Sequence, residues 1–248
     1  MKNSAFFLSS VIATTSVLFS HNVFAGTPIK YLRSVHDASI AQASEIVTTL
    51  DAITPDNTSL VWNEDKTRLK VVTWKSQSSY QNYLLPYPQT SSSEKNVVWV
   101  TLAPKMQAFC RDYLQTHPHA TPSSLNYRLK QRLGLNPDWQ YDVFVEMWVA
   151  PEDIFRPCVD PETSDSQCEL DFATQVPVVK NIQDYKAFYQ GIYFQSFRST
   201  PGVPWTGLGY TYDWHNLHAE QGASEFILSP SSPYIIDQAV PTWEYCQP

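Results

Sequence analysis

The sequence predicts an α+β fold: a mainly antiparallel sheet with several packed helices, built as one disulfide-bonded domain. Three observations predict it. Strand-like runs and helical stripes mix without a strict βαβα alternation, Tyr141 to Val149 alternates cleanly, and the four cysteines form an even set.

Lys2 gives a short basic start, Ala5 to Phe19 is an apolar run diluted by Ser and Thr, and Val23-Phe24-Ala25 places small residues before Gly26. That layout predicts a cleavable secretory signal peptide over residues 1–25. The run is interrupted and shorter than the roughly 20 residues a membrane span requires. Residues 26–248 are then expected as a single globular α+β domain, since no linker, low-complexity run or internal repeat divides them.

Asp37 is placed to cap a helix running to about Leu50, with Ile40, Ala43, Val47 and Leu50 on one stripe. Ser59–Trp62 and Arg68–Trp74, joined by Asn63-Glu64-Asp65-Lys66, read as a hairpin. The Ser-, Gln-, Tyr- and Pro-rich stretch from Ser76 to Lys95 reads mostly as loop. Val97–Leu102 is apolar on both faces, as in a central strand.

Pro104 opens a helix carrying Met106, Phe109, Cys110, Tyr113 and Leu114. Thr121-Pro122 supplies a hydroxyl cap and a first-turn proline for a second helix that ends at Gly134, with Leu125, Leu129 and Leu133 as its stripe. Tyr141–Val149 is a strand with Tyr141, Val143, Val145, Met147 and Val149 on one face. After an irregular stretch from Pro151 to about Val179, a helix starts at Asp184, and short strands follow at Ser224–Leu228 and Tyr234–Ile236.

The formal net charge is −7 and the basic residues form no stripe, which argues against a nucleic-acid surface. No apolar stretch after residue 25 is long enough to cross a membrane. An even cysteine count behind a signal peptide reads as two disulfides. Cys158 and Cys168 flank a Pro-, Asp- and Ser-rich loop and are expected to pair, leaving Cys110 for Cys246. A zinc site would favour close C-x-x-C spacing, which is missing. A catalytic Cys110 competes with its apolar helix neighbours, which favour a buried structural sulfur.

Pro201–Glu225 is the most unusual stretch. It holds Gly202, Gly207, Gly209 and Gly222, interleaved with Trp205, Tyr210, Tyr212 and Trp214. Such aromatics can line a ligand surface or plug a core. In the same stretch Asp213, His215 and His218 could bind a divalent metal such as zinc, or could supply a general base with Glu225. Ordinary loop polarity explains them as well.

His117 and His119 read as an exposed turn that would add ligands only if the fold brought them near His215. Glu146, between Phe144 and Trp148, is a candidate acid, or a carboxylate reaching water or an Arg. Arg156, fixed between Phe155 and Pro157, would clamp a ligand carboxylate or, more simply, Asp153 or Asp160.

There is no G-x-S-x-G, Gly-rich phosphate loop or H-E-x-x-H. Two functions stay open. One is a binding or interaction protein with an aromatic-lined site for a ligand, glycan or protein of the cell envelope or extracellular space. The other is a secreted hydrolase acting on peptide, glycan or cell-wall material through Asp213, His215, His218 and Glu225. They differ in geometry, because chemistry needs two of these groups within hydrogen-bond reach at the floor of a cleft.

Overall fold

A computed structural model describes residues 27–247, so the expected signal peptide lies outside the described residues. In chain order the strands are β1 (Leu69–Lys75), β2 (Val98–Leu102), β3 (Val143–Val149), β4 (Ile154–Phe155), β5 (Tyr210–Tyr212), β6 (Gln221–Ser224), β7 (Phe226–Leu228) and β8 (Tyr234–Pro241). The helices are α1 (Ile29–Asp37), α2 (Gln77–Tyr83), α3 (Ala103–Thr116), α4 (Pro122–Arg132), α5 (Tyr185–Arg198) and α6 (Thr242–Tyr245). Six strands form one sheet in the order β4-β7-β2-β1-β3-β8, every neighbouring pair antiparallel, and β5 and β6 form a small second sheet. The fold is α+β, as its mixed sequence pattern predicts.

β3 is placed between β1 and β8 by its residues. Val143, Val145, Met147 and Val149 point to one face and join Leu69, Val71, Val100 and Phe226 in the main core. The stretch containing Ile53, Leu60 and Leu84 covers that face. Phe144 points to the other, with Val72 and Trp74, beneath Met106 and Cys110 of α3 and Leu125 and Leu129 of α4. A separate cluster on β4 and β7, built on Phe155 and Ile227, packs under Tyr185 and Phe188 of α5. The second face therefore carries two helical groups, α3 with α4 and, apart from them, α5.

Local chemistry sets the helix ends. Thr121 accepts from the Ser124 amide to start α4, and Gly134 takes φ +64° just past its end, a conformation that disfavours a side chain. Asp184 caps α5 by accepting from the Ala187 amide. Cys110 is bonded to Cys246, tying α3 to the C-terminal tail, and Cys158 is bonded to Cys168.

Three elements differ from the expectation. The stripe from Asp37 to Leu50 is not a helix: α1 ends at Asp37, and only Ala43–Glu45 turns, as a 3₁₀ helix. The amides of Leu50 and Ile53 bond instead to the carbonyls of Ser166 and Thr163, so pairing with a distant loop overrides the local period. The hairpin before β1 shrinks to one bridge, Trp62 to Leu69, because Asn63 accepts from the amides of Thr67 and Arg68 and closes a tight turn. Within Ser76–Lys95 the Ser76 hydroxyl accepts from the Ser79 amide and starts α2, so this stretch is not all loop.

One irregularity of the sheet positions the site. β1 pairs with β3 along its whole length but with β2 only at Val71–Leu102 and Val72–Thr101. Beyond Val72 the two strands part, and β2 turns its pairing to β7 at Val98–Leu228, Trp99–Ile227 and Val100–Phe226.

Candidate ligand cavity

A cavity of about 810 Å³ fills the wedge between β1 and β2 and opens toward the gap between the two helical groups. Because β2 leaves β1 after Val72, residues of both pleat directions border it, Thr73 and Lys75 as well as Val72 and Trp74. Trp99, Tyr141 and Phe144 add aromatic wall from the sheet side, and Leu133 to Asn136 close it beyond α4. α5 contributes Phe188, Gly191 and Ile192, and residues 199–205 fold across one end. The volume lies within the range of small-molecule sites, roughly 300–1,000 Å³, and the lining has their usual makeup of apolar walls with few polar groups.

Three of the polar lining residues stand out because they carry unpartnered groups. Glu225, between β6 and β7, is 6 % exposed, and its Oε1 has no hydrogen-bond partner among the described residues. Burial alone pushes its carboxyl up from 4.5 to about 8, so it is protonated at neutral pH. Trp205 packs at 4.9 Å against Tyr189 and also leaves its buried Nε1 without an acceptor. Lys75, at the end of β1, joins no ion pair among the described residues, and burial lowers its pKa with no neighbouring charge to oppose the shift. Native interiors pair nearly all such groups, so unpaired ones on residues that line a cavity stand out.

The Glu225 shift has a measurable consequence. The unfolded chain releases this proton near 4.5 while the folded chain holds it until about 8, so between those values the unfolded state binds fewer protons and stability falls as pH rises. Glu225→Gln is expected to remove that part of the slope, read from urea unfolding across the same pH range; an unchanged slope would refute the assignment.

The sequence-selected residues divide. Glu225 and Trp205 line the cavity. Tyr210, Tyr212 and Trp214 are buried in packing: Tyr210 donates to the Glu45 carbonyl, Tyr212 to Asp37 Oδ2 at 2.7 Å, and the Trp214 indole to the Leu135 carbonyl. Asp213 is held bidentately by Arg128 of α4 at 2.9 and 2.7 Å, with Arg132 at 3.7 Å. Its charge is thereby balanced within the fold, which docks the 213–214 segment on α4.

His215 and His218 are exposed, and no group of metal-ligand geometry among the described residues contains Asp213, His215 or His218. The one such group, Cys158, Asp160 and Cys168, includes both sulfurs of a disulfide. Partial burial and then Arg128 lower the His215 pKa, with Asp213 opposing and His117 the smallest of the contributions, whereas His119 is an exposed turn residue. Arg156 is fully buried, but its partner is Asp165 at 2.6 Å rather than Asp153 or Asp160. Asp153 instead pairs with Lys180, and Asp160 accepts from the Glu169 amide. Glu146 accepts from Tyr245 and Gln238 and pairs with Lys70, so it is a satisfied carboxylate.

Sequence reasoning missed Lys75, Trp74, Trp99 and Gly191 as wall residues. Two signals were available. Lys75 ends a strand whose neighbours are apolar, and Gly191 interrupts the aromatic helix Tyr189–Tyr193, where glycine costs roughly 0.5–1 kcal/mol relative to alanine. A Cβ built at Gly191 meets nothing within 4 Å, so this glycine leaves space rather than relieving a clash. Comparison of the chain with protein-family models, curated proteins and solved structures finds no match.

Proposed function

We propose that the protein binds a small, mainly apolar molecule in this cavity. The observation that carries the reading is the cavity itself, about 810 Å³ with aromatic walls and, at Glu225, a buried carboxyl whose Oε1 has no partner among the described residues. Apolar walls around a space of this size are the usual makeup of a small-molecule site. Two disulfides suit an oxidising compartment, and no helix among the described residues is long and apolar enough to cross a membrane; both support a periplasmic or secreted location.

The hydrolase reading has less support. It requires two convergent reactive groups, and of the residues assigned to it only Glu225 borders the cavity, while Asp213 is committed to Arg128.

Gly191 gives a clean test. Gly191→Phe fills the cavity from α5, and replacing a helical glycine favours the helix. The neutral fluorophore N-phenyl-1-naphthylamine is expected to bind the unaltered protein saturably, quench tryptophan emission, and bind Gly191→Phe at least tenfold more weakly at an unchanged melting temperature. Equal binding by both proteins, or no saturable binding at all, would overturn the reading.

A further inference from the structure

The same cavity points to the chemistry of its occupant, an inference that rests on the binding reading above. We propose that the ligand is an apolar carboxylic acid whose ionised head pairs with Lys75. Other lysines of this chain are satisfied, two of them half-buried like Lys75 and two exposed. Lys70 reaches Glu146 and Asp237, Lys105 pairs with Asp51, and Lys180 with Asp153. Lys130 donates to the Pro137 carbonyl at 2.6 Å. Lys75 has neither a carboxylate nor a carbonyl acceptor among the described residues, although it lines the cavity and burial disfavours its charge. Lys75 is half-buried, so its ammonium is partly stripped of water without gaining a counter-charge, and an incoming anion relieves that cost.

Glu225 is not that counter-charge. It lines the same cavity, yet no ion pair joins the two, and at neutral pH its carboxyl is protonated. Protonated Glu225 offers a hydrogen-bond donor. Ammonium and carboxylic acid O–H are both donors, and they favour an acceptor-rich head over a cationic or donor-rich one. The other charged lining residues, Glu94 and Lys95, lie together just before β2, and Lys95 is exposed. The interior thus presents one unpaired cation, which matches a single negative charge rather than a doubly charged phosphate. The remaining walls are mostly apolar and aromatic, and they accept the body of such an acid by simple burial.

The test uses competition against N-phenyl-1-naphthylamine with three probes of equal chain length: dodecanoate, dodecanol and dodecyltrimethylammonium. For the unaltered protein at pH 7, dodecanoate is expected to displace the fluorophore at least tenfold more effectively than dodecanol, with the cation weakest. Lys75→Met is expected to bring dodecanoate down to the level of dodecanol while fluorophore and dodecanol binding persist, which also shows that the cavity is intact. Lys75→Arg is expected to retain the preference. Equal displacement by dodecanoate and dodecanol, a preference for the cation, or a preference that survives Lys75→Met would overturn the head-group assignment while leaving a binding cavity standing. Failure of the fluorophore to bind the unaltered protein would overturn the cavity reading and this assignment with it.

Discussion

Arg156→Met is expected to destabilise the protein by about 3–5 kcal/mol, although Arg156 does not line the cavity. Its side chain is fully buried, and the guanidinium works as a hub. One nitrogen donates to Asp165 Oδ1 at 2.6 Å and to the carbonyls of Glu162 and Gln167. The other donates to the carbonyls of Asp51 and Asp165. The Arg156 carbonyl itself accepts from the Tyr185 hydroxyl, which anchors the start of α5. Methionine fills a similar volume but supplies no donor, so several inward-facing carbonyls lose their partners, at about 1–3 kcal/mol for each one left buried. Part of the loss is cushioned, because the Asp165 side chain is 44 % exposed and can recover water. Arg156→Lys is expected to rescue little, since an ammonium cannot reproduce the planar fork. Urea unfolding measures both variants, and a loss under about 1 kcal/mol for Arg156→Met would refute this account.

Much of the fold was legible because its signals are local. Thr121-Pro122, Gly134 and Asp184 announce helix ends through their own side chains or backbone, and Val143–Val149 declares its two faces by strict alternation. The largest failure, the Asp37–Leu50 stripe, has a long-range cause. Ile40, Ala43, Val47 and Leu50 have a helical period, but Leu50 is needed elsewhere, packed with Cys158, Cys168, Leu208 and Tyr210 while its amide bonds to Ser166. No sequence window around Leu50 contains those partners.

The site was half legible for the same reason. Pro201–Glu225 is visibly rich in aromatics and glycines, and Trp205 and Glu225 from it do border the cavity. Gly209 of that stretch serves packing instead: its φ is +76°, and a Cβ there would lie 2.7 Å from Cys168 Sγ of the disulfide. Asp213 and His215 looked like a reactive pair because of their spacing. The residue that decides Asp213's role is Arg128, 85 positions away on α4. The cavity itself arises from where β2 stops pairing with β1, a property of register that composition does not encode.

Removing the Cys110–Cys246 bond is expected to be the most damaging change tested by a single bond. The two cysteines are 136 positions apart, against 10 for Cys158 and Cys168. A cross-link stabilises by restricting the unfolded chain, and the chain-entropy relation gives about 5 kcal/mol for the long loop and about 3 kcal/mol for the short one. Alanine is the appropriate replacement at both ends of the long link, since Cys110 and Cys246 have no exposed surface and serine would bury two hydroxyls. The folded state should survive locally without the bond. Tyr245 still donates to the Ala103 carbonyl and to Glu146, Arg111 still reaches the Gln247 carbonyl, and Gln107 the Tyr245 carbonyl. The loss should therefore appear chiefly in the unfolded state. The paired variant Cys110→Ala with Cys246→Ala should unfold at lower urea with a steeper dependence on denaturant, because the freed chain exposes more surface. The paired variant Cys158→Ala with Cys168→Ala should lose less stability and change that slope less. If the short-loop variant proves the weaker of the two, restriction of the unfolded chain is not what these bonds contribute, and the Cys158–Cys168 link must instead hold the loop that Arg156 and Gly209 pack against.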